Sequence, residues 1–206
     1  MSDSRKSHWE GVYITKDPTE LSWYQGAPQK SLQMISVTGV GQKAALNDIG
    51  GGASTLVDNL LDSGFDDVTV LDIASTALVR SRARLGDRAK TVTWIEQDIL
   101  HSEPGRLYRL WHDRAVFHFL TEKSQQIDYV TVLRKAVEPG GHVILATFGP
   151  DGPERCSGLP VQRYSIDQMA DVLGPTFELR AYDLEEHKTP TGFGQQFLYA
   201  RWQAKA

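Results

Sequence analysis

Two periodicities divide the chain: short apolar runs, and apolar residues spaced three or four apart. The runs predict strands at 43–48, Val68 to Asp72, Val92 to Glu96, Tyr108 to His112 and His142 to Thr147. The wider spacing predicts helices at 30–38, 53–63, 75–85 and 123–137, with Leu56, Val57, Leu60 and Leu61 as the inward stripe of the second. Gly39, Gly64 and Gly86 follow three of these segments, where a helix stop belongs. Strands alternating with helices predict an α/β fold, a doubly wound parallel sheet covered by helices on both faces. The rhythm then changes. After a helix at 165–173, Phe177 to Asp183 and Gln195 to Gln203 read as two strands joined by a short polar connection. That pattern predicts a C-terminal antiparallel hairpin closing the sheet.

Residues 1–30 are polar and broken by Pro18, Gly26 and Pro28, yet they hold Trp9, Tyr13, Trp23 and Tyr24. Disordered tails are poor in aromatics, so this segment reads as an ordered lid with a short helix. A single domain over 1–206 follows, with an N-terminal cap at 1–38 and the sheet-bearing core at 39–206. The 206 residues, 40% hydrophobic and 23% charged, suit one full core. A formal charge of −4 gives no general attraction to nucleic acid. No apolar run is long enough to span a bilayer, and MSDSRKSHWEGVY lacks the apolar core of a secretory signal. The expectation is a cytoplasmic protein, monomer or homodimer, without nucleic-acid or membrane partners. The single cysteine, Cys156, excludes an internal disulfide framework and a cysteine-rich zinc site. No metal-ligand cluster is evident.

The candidate chemistry starts at Asn47-Asp48-Ile49-Gly50-Gly51-Gly52. Glycines cost backbone entropy, so three together imply a ligand or a neighbour that needs bare backbone. In an open α/β sheet, ligands bind beyond the carboxyl ends of the strands. Asp48 stands at the end of the first strand and Asp72 at the end of the second, where an acid accepts the hydroxyls of a ribose. Asp98 follows the third and is placed to receive an adenine amino group. Three such acids describe a nucleoside pocket. A dinucleotide fits it poorly: Gly50-Gly51-Gly52-Ala53-Ser54-Thr55 lacks the last glycine of G-x-G-x-x-G, and Asp48 would repel a pyrophosphate. S-adenosylmethionine carries an ammonium and a sulfonium, and no phosphate.

These residues resemble the motifs of class I S-adenosylmethionine-dependent methyltransferases. Asp48-Ile49-Gly50-Gly51-Gly52 is similar to the acid-x-G-x-G motif, Asp72 to the ribose acid and Asp98-Ile99 to the adenine-site acid. Leu110-Trp111-His112-Asp113-Arg114 is similar to the fourth-strand motif beside the methyl group, and Pro139-Gly140-Gly141 to the turn before the fifth strand. Asn47 and Ser54 depart from the usual pattern. The resemblance runs from about Gln42 onward. It implies a Rossmann-like seven-stranded sheet and S-adenosyl-L-methionine as cofactor. It also implies a donor site of Asp48, Gly50, Gly51, Gly52, Asp72, Ile73, Asp98 and Ile99, roofed by Trp23. The N-terminal aromatics resemble both protein-lysine methyltransferases of the seven-strand type and bacterial small-molecule enzymes.

On the acceptor side, Asp113 follows the fourth strand. Either it orients or deprotonates the acceptor, or it caps the following turn. If Asp113 points into the pocket, His112 points away. The glycine- and proline-rich loop from Phe148 to Tyr164 follows the fifth strand and reads as a lid over the acceptor. Within it Arg155 and Arg163 are candidates to hold an acceptor carboxylate, and Tyr164 to donate a hydroxyl. Cys156 reads as a bystander, since methyl transfer needs no enzyme nucleophile. His118 reads as a hydrogen-bonded core residue and His187 as a solvated loop residue. A small-molecule acceptor is the first reading. The rivals are a protein-lysine methyltransferase with an acidic channel lined by Asp113 and Glu154, a non-catalytic nucleoside binder, and a dehydrogenase.

Overall fold

The computed structural model describes residues 2–205. Its strands are β1 (Leu46–Ile49), β2 (Val68–Asp72), β3 (Val92–Glu96), β4 (Tyr108–Arg114), β5 (Val137–Phe148), the two-residue pair β6 (Arg155–Cys156) and β7 (Leu159–Pro160), β8 (Phe177–Lys188) and β9 (Gly194–Ala204). The helices are α1 (Ser2–Thr15), α2 (Gln29–Ser36), α3 (Leu56–Asp62), α4 (Ser75–Leu85), α5 (Lys123–Ala136) and α6 (Ile166–Leu173). Seven strands form one sheet in the order β3-β2-β1-β4-β5-β9-β8. The first five are parallel, and β9 runs antiparallel to both β5 and β8. This is the doubly wound, Rossmann-like sheet with the terminal hairpin that the patterning predicts. β6 and β7 form a separate small hairpin.

The elements follow from their side chains. All positions of β1 and β2 are buried, as strands covered on both faces require. One face packs Leu46, Val70, Leu110 and Ile144 against Ile35, Leu56, Leu60 and Leu78 of α2, α3 and α4. The other packs Trp111, Val143, Leu145 and Trp202 against Tyr129, Leu133 and Met169 of α5 and α6. Ser165 begins α6, accepting from the Gln168 N–H at 3.2 Å, while Gln168 accepts from the Ser165 N–H at 2.9 Å.

Several elements differ from the sequence expectation. α1 is a fourteen-residue helix rather than a short one. α3 starts at Leu56 rather than residue 53, because the Ser54 hydroxyl accepts the Leu56 N–H at 3.1 Å in the turn before it. β4 runs on to Arg114, two residues past His112. Ala115 to Leu120, which reads as helix-like, folds instead into a tight turn and one short 3-10 segment, Phe117–Phe119. Among the described residues, no helix is long and apolar enough to cross a membrane.

Candidate active site

The sheet order reverses between β1 and β4, and a cleft opens there at the carboxyl ends of the strands. The three glycines after β1 are needed for three different reasons. Gly50 has φ +65°, and a Cβ there would overlap the Val116 side chain. A Cβ on Gly51 would overlap the Asp48 carboxylate, and one on Gly52 would strike both Asp72 Oδ2 and the Ala77 methyl. The glycine turn is thus closed in by two carboxylates and by the turn after β4.

Asp72 is clamped by backbone. The Gly52 N–H donates to Oδ2 at 3.0 Å and the Ala74 N–H to Oδ1 at 2.8 Å. Burial nonetheless pushes its pKa up to about 6, opposed by those two bonds, with the Asp48 and Glu10 charges adding to the rise. Asp48 is tied to β4. Its Oδ1 lies 2.7 Å from His112 Nδ1, and His112 Nε2 lies 2.9 Å from the Ser31 hydroxyl on α2. A carboxylate only accepts, so in the neutral ring Nδ1 carries the proton and Nε2 accepts from Ser31. Asp48 Oδ2 is buried with no partner.

α1 roofs the cleft where Asp72 and Asp98 lie. Arg5 Nη2 donates to Asp98 Oδ2 at 2.7 Å, and Asp98 Oδ1 accepts the Leu100 N–H at 3.1 Å. Glu10 accepts the Ser75 and Thr76 N–H groups at 2.6 and 3.1 Å, capping α4 from outside its own chain segment. Trp9 meets Trp23 edge-on at 5.8 Å and Phe119 at 5.0 Å. Asp48, Gly50, Gly51, Asp72, Ile73, Asp98, Ile99 and Trp23 therefore line one cleft. Gly52 sits behind it and reaches it through Asp72.

The acceptor-side residues are placed differently from the expectation. Asp113 faces away from the cleft. It is fully buried against α5, where Oδ2 accepts the Tyr129 hydroxyl at 2.6 Å and Oδ1 the Val116 and Phe117 N–H groups at 2.9 and 3.3 Å. Burial raises it to about 6, and these hydrogen bonds oppose the rise. Alternation along β4 then turns His112 and Arg114 into the cleft, the reverse of the expected parity. Arg155 is exposed and donates to the Gly158 carbonyl. Arg163 pairs with Glu154 at 3.2 Å. Tyr164 is buried in the core, stacked on Phe117 at 5.3 Å. None of the three lines the cleft; of their loop, only Cys156 does. Burial pushes the Cys156 thiol up to about 11, so it stays protonated near neutrality. His118 accepts the Phe148 N–H at 3.2 Å, and burial lowers it to about 3. His187 is buried rather than solvated, 2.8 Å from the Ser22 carbonyl.

Ser31, His112, Arg114 and Arg5 are the cleft residues that sequence reasoning missed. For His112 and Arg114 the available signal was parity: Trp111 is the large apolar residue of the strand, and Asp113 shares its face.

No protein-family model matches the chain, nor does any curated protein. Solved structures do match in fold. One comes from work on the conversion of a disulfide bond into a thioacetal group during echinomycin biosynthesis, with a TM-score of 0.78, 18% identity, and coverage of 97% of this chain and 91% of that one. The N-methyltransferase NodS from Bradyrhizobium japonicum WM9, in complex with S-adenosyl-L-homocysteine, gives 0.73 at 16% identity over 98% and 99%. The Burkholderia thailandensis 1,6-didemethyltoxoflavin-N1-methyltransferase, with its acceptor and S-adenosylhomocysteine bound, gives 0.70 at 17% identity over 100% and 87%. The chain shares their fold along nearly its whole length.

Proposed function

We propose that this chain is an S-adenosylmethionine-dependent methyltransferase acting on a small-molecule acceptor. The observation that carries the reading is the glycine turn closed between Asp48 and Asp72, with Asp48 Oδ2 buried and unpartnered. That oxygen can accept a hydrogen bond from a cation, and the cofactor's ammonium is such a cation. The glycines let the turn close tightly against both carboxylates at the cleft, Asp72 suits two ribose hydroxyls, and Asp98 an adenine edge. A pyrophosphate at the same turn would meet two carboxylates, which weighs against a dehydrogenase. The fold is also that of structures holding S-adenosylhomocysteine.

S-adenosylmethionine, when bound, supplies a methyl carbon on a sulfonium leaving group, so the protein is left to align the acceptor and exclude water. Trp9, Trp23 and Tyr13 from the N-terminal segment line the cleft together with Phe119 and Cys156, and Trp9 packs directly on Phe119. That enclosure supports a compact acceptor. The protein-lysine reading relied on Asp113 and Glu154 for an acidic channel, and neither lines the cleft. Asp113 also has no free route to the acceptor's proton. An acceptor that loses a proton on methylation has the Ser31–His112–Asp48 line beside it instead.

Calorimetric titration with S-adenosylhomocysteine tests the donor site. Micromolar binding that Asp72→Ala weakens roughly tenfold or more, for a lost buried charged hydrogen bond, is expected. No binding to the unaltered protein would overturn the reading. Radiolabelled methyl transfer in lysate then separates the acceptors: label found only on proteins would exclude the small-molecule reading.

A further inference from the structure

Arg114 is the cleft residue whose bonding is unfinished. Its Nε donates to the Tyr199 hydroxyl at 2.8 Å and its Nη1 to the Trp23 carbonyl at 2.8 Å, and its guanidinium carbon lies 4.8 Å from the centre of the Phe197 ring. Nη2 is buried and has no partner. A guanidinium cannot shed its charge by losing a proton, so the missing partner must be an acceptor, best a negative one. Among the described residues, Arg114 forms no ion pair. Glu185 is felt by His187 and Tyr199, as Arg114 is, yet it makes no hydrogen bond to Arg114, and its own Oε2 is buried without a partner.

The side chain is also held in place. Ala115, just after it, has φ +72°, a left-handed conformation unusual for a residue with a Cβ. The Ala115 N–H donates to the Ala146 carbonyl at 2.8 Å, and Asp113 fastens the next two N–H groups. This fixed turn presents Arg114 toward β9, where Tyr199 and Phe197 stand. The ribose acid Asp72 is on β2, on the opposite side of β1 and β4. Arg114 leaves β4 two strand spacings, about 10 Å, from β2, and its guanidinium reaches away from β2 to Tyr199 on β9. The unfinished charge thus belongs to the acceptor end of the cleft. Beside it stand the Phe197 ring, Trp23 and the Cys156 thiol, with the Tyr199 hydroxyl already taken as an acceptor.

We propose that Arg114 seats a carboxylate of the methyl acceptor, making the preferred acceptors small organic acids with an apolar body. This rests on the methyltransferase reading and names its substrate class. A single free nitrogen beside the Phe197 ring matches a carboxylate oxygen better than the three oxygens of a phosphate.

The test is calorimetry of the protein, with and without saturating S-adenosylhomocysteine, against benzoate, phenylacetate, their neutral amides and phenyl phosphate. The acids are expected to bind at least tenfold more tightly than the amides and the phosphate. Arg114→Gln should erase the preference for acids and leave S-adenosylhomocysteine affinity within about twofold, while Arg114→Lys retains part of the preference. Equal binding of acids and amides, or binding of neither acid in either state, overturns the proposal. So does preferred binding of the phosphate, which would identify a phosphate seat. A large loss of S-adenosylhomocysteine affinity in Arg114→Gln would assign Arg114 to the donor's own carboxylate and overturn it too. Failure of the unaltered protein to bind S-adenosylhomocysteine would sink the methyltransferase reading separately, because the acid-against-amide comparison is also made without it.

Discussion

Asp72 and Asp113 are both buried carboxyls raised to about 6, and they are put to different uses. Asp72 faces the cleft, and in the proposed donor site its ionised form is the one that would accept two ribose hydroxyls. As the pH falls through about 6, a proton competes with the ribose. S-adenosylhomocysteine affinity should therefore be full above about pH 7 and fall up to about tenfold per pH unit below 6. Titrations from pH 8 to 5 check this, and the slope should vanish in Asp72→Asn. Folding has the opposite sign from that of an ordinary paired carboxylate. The folded state holds these protons more tightly than the unfolded one. Both groups therefore add stability as the pH drops from about 6 toward the ordinary carboxylate range. That Asp48, Asp72 and Asp98 gather at one cleft was legible in the sequence, because each follows a strand of the same parallel sheet. Asp113 was not, because facing is decided by parity: a shift of one residue turns every side chain to the other face. Trp111 and Asp113 share a face toward Tyr129, which leaves His112 and Arg114 for the cleft.

Among the elements, α1 was the hardest to read. Its sequence, SDSRKSHWEGVYIT, has no continuous apolar stripe. It is held instead by polar anchors, Arg5 on Asp98, Lys6 on Glu96 and Glu10 on the start of α4, and by the Trp9 contacts. Such anchors depend on partners 60 or more positions away, which local patterning cannot reveal. Glu10→Ala removes the acceptor that caps α4. It should destabilise the α1–α4 contact by about 1–2 kcal/mol and speed amide exchange in α1 while leaving α5 and α6 unaffected. Hydrogen-exchange mass spectrometry reads both regions in one experiment; unchanged protection in α1 would show that its other anchors hold it without Glu10. The central helices and strands, by contrast, were legible to within a few residues. Their patterns are those of segments buried on one stripe or on both faces.

For the whole molecule, the telling feature is the place of β9. It lies between β5 and β8, hydrogen-bonded on both sides, and its residues are mostly buried. β8 is the sheet's edge, with Tyr182 and Leu184 largely exposed. Leu198→Ala in β9, a fully covered side chain, should cost about 2–5 kcal/mol. Leu184→Ala on the edge should stay within about 0.5 kcal/mol. Urea denaturation of the two variants checks the contrast, and equal losses would contradict the sheet order. The break in the helix–strand alternation after 173 was the sign that a hairpin closes the sheet. It did not show that this hairpin also meets Arg114 at the cleft through Tyr199 and Phe197.

β9 is also made after both of its neighbours. A growing chain that has produced β1 to β8 already has the glycine turn, the donor acids and α1. It still has an open edge on β5, no partner for β8 and nothing beneath Arg114. The part of the cleft built on β1 and β2 can take shape on a nascent chain, whereas the surroundings of Arg114 are finished only when the last strand joins the sheet. On the methyltransferase reading proposed above, synthesis itself would set an order of assembly, in which the competence to hold a nucleoside precedes the competence to choose what receives the methyl group.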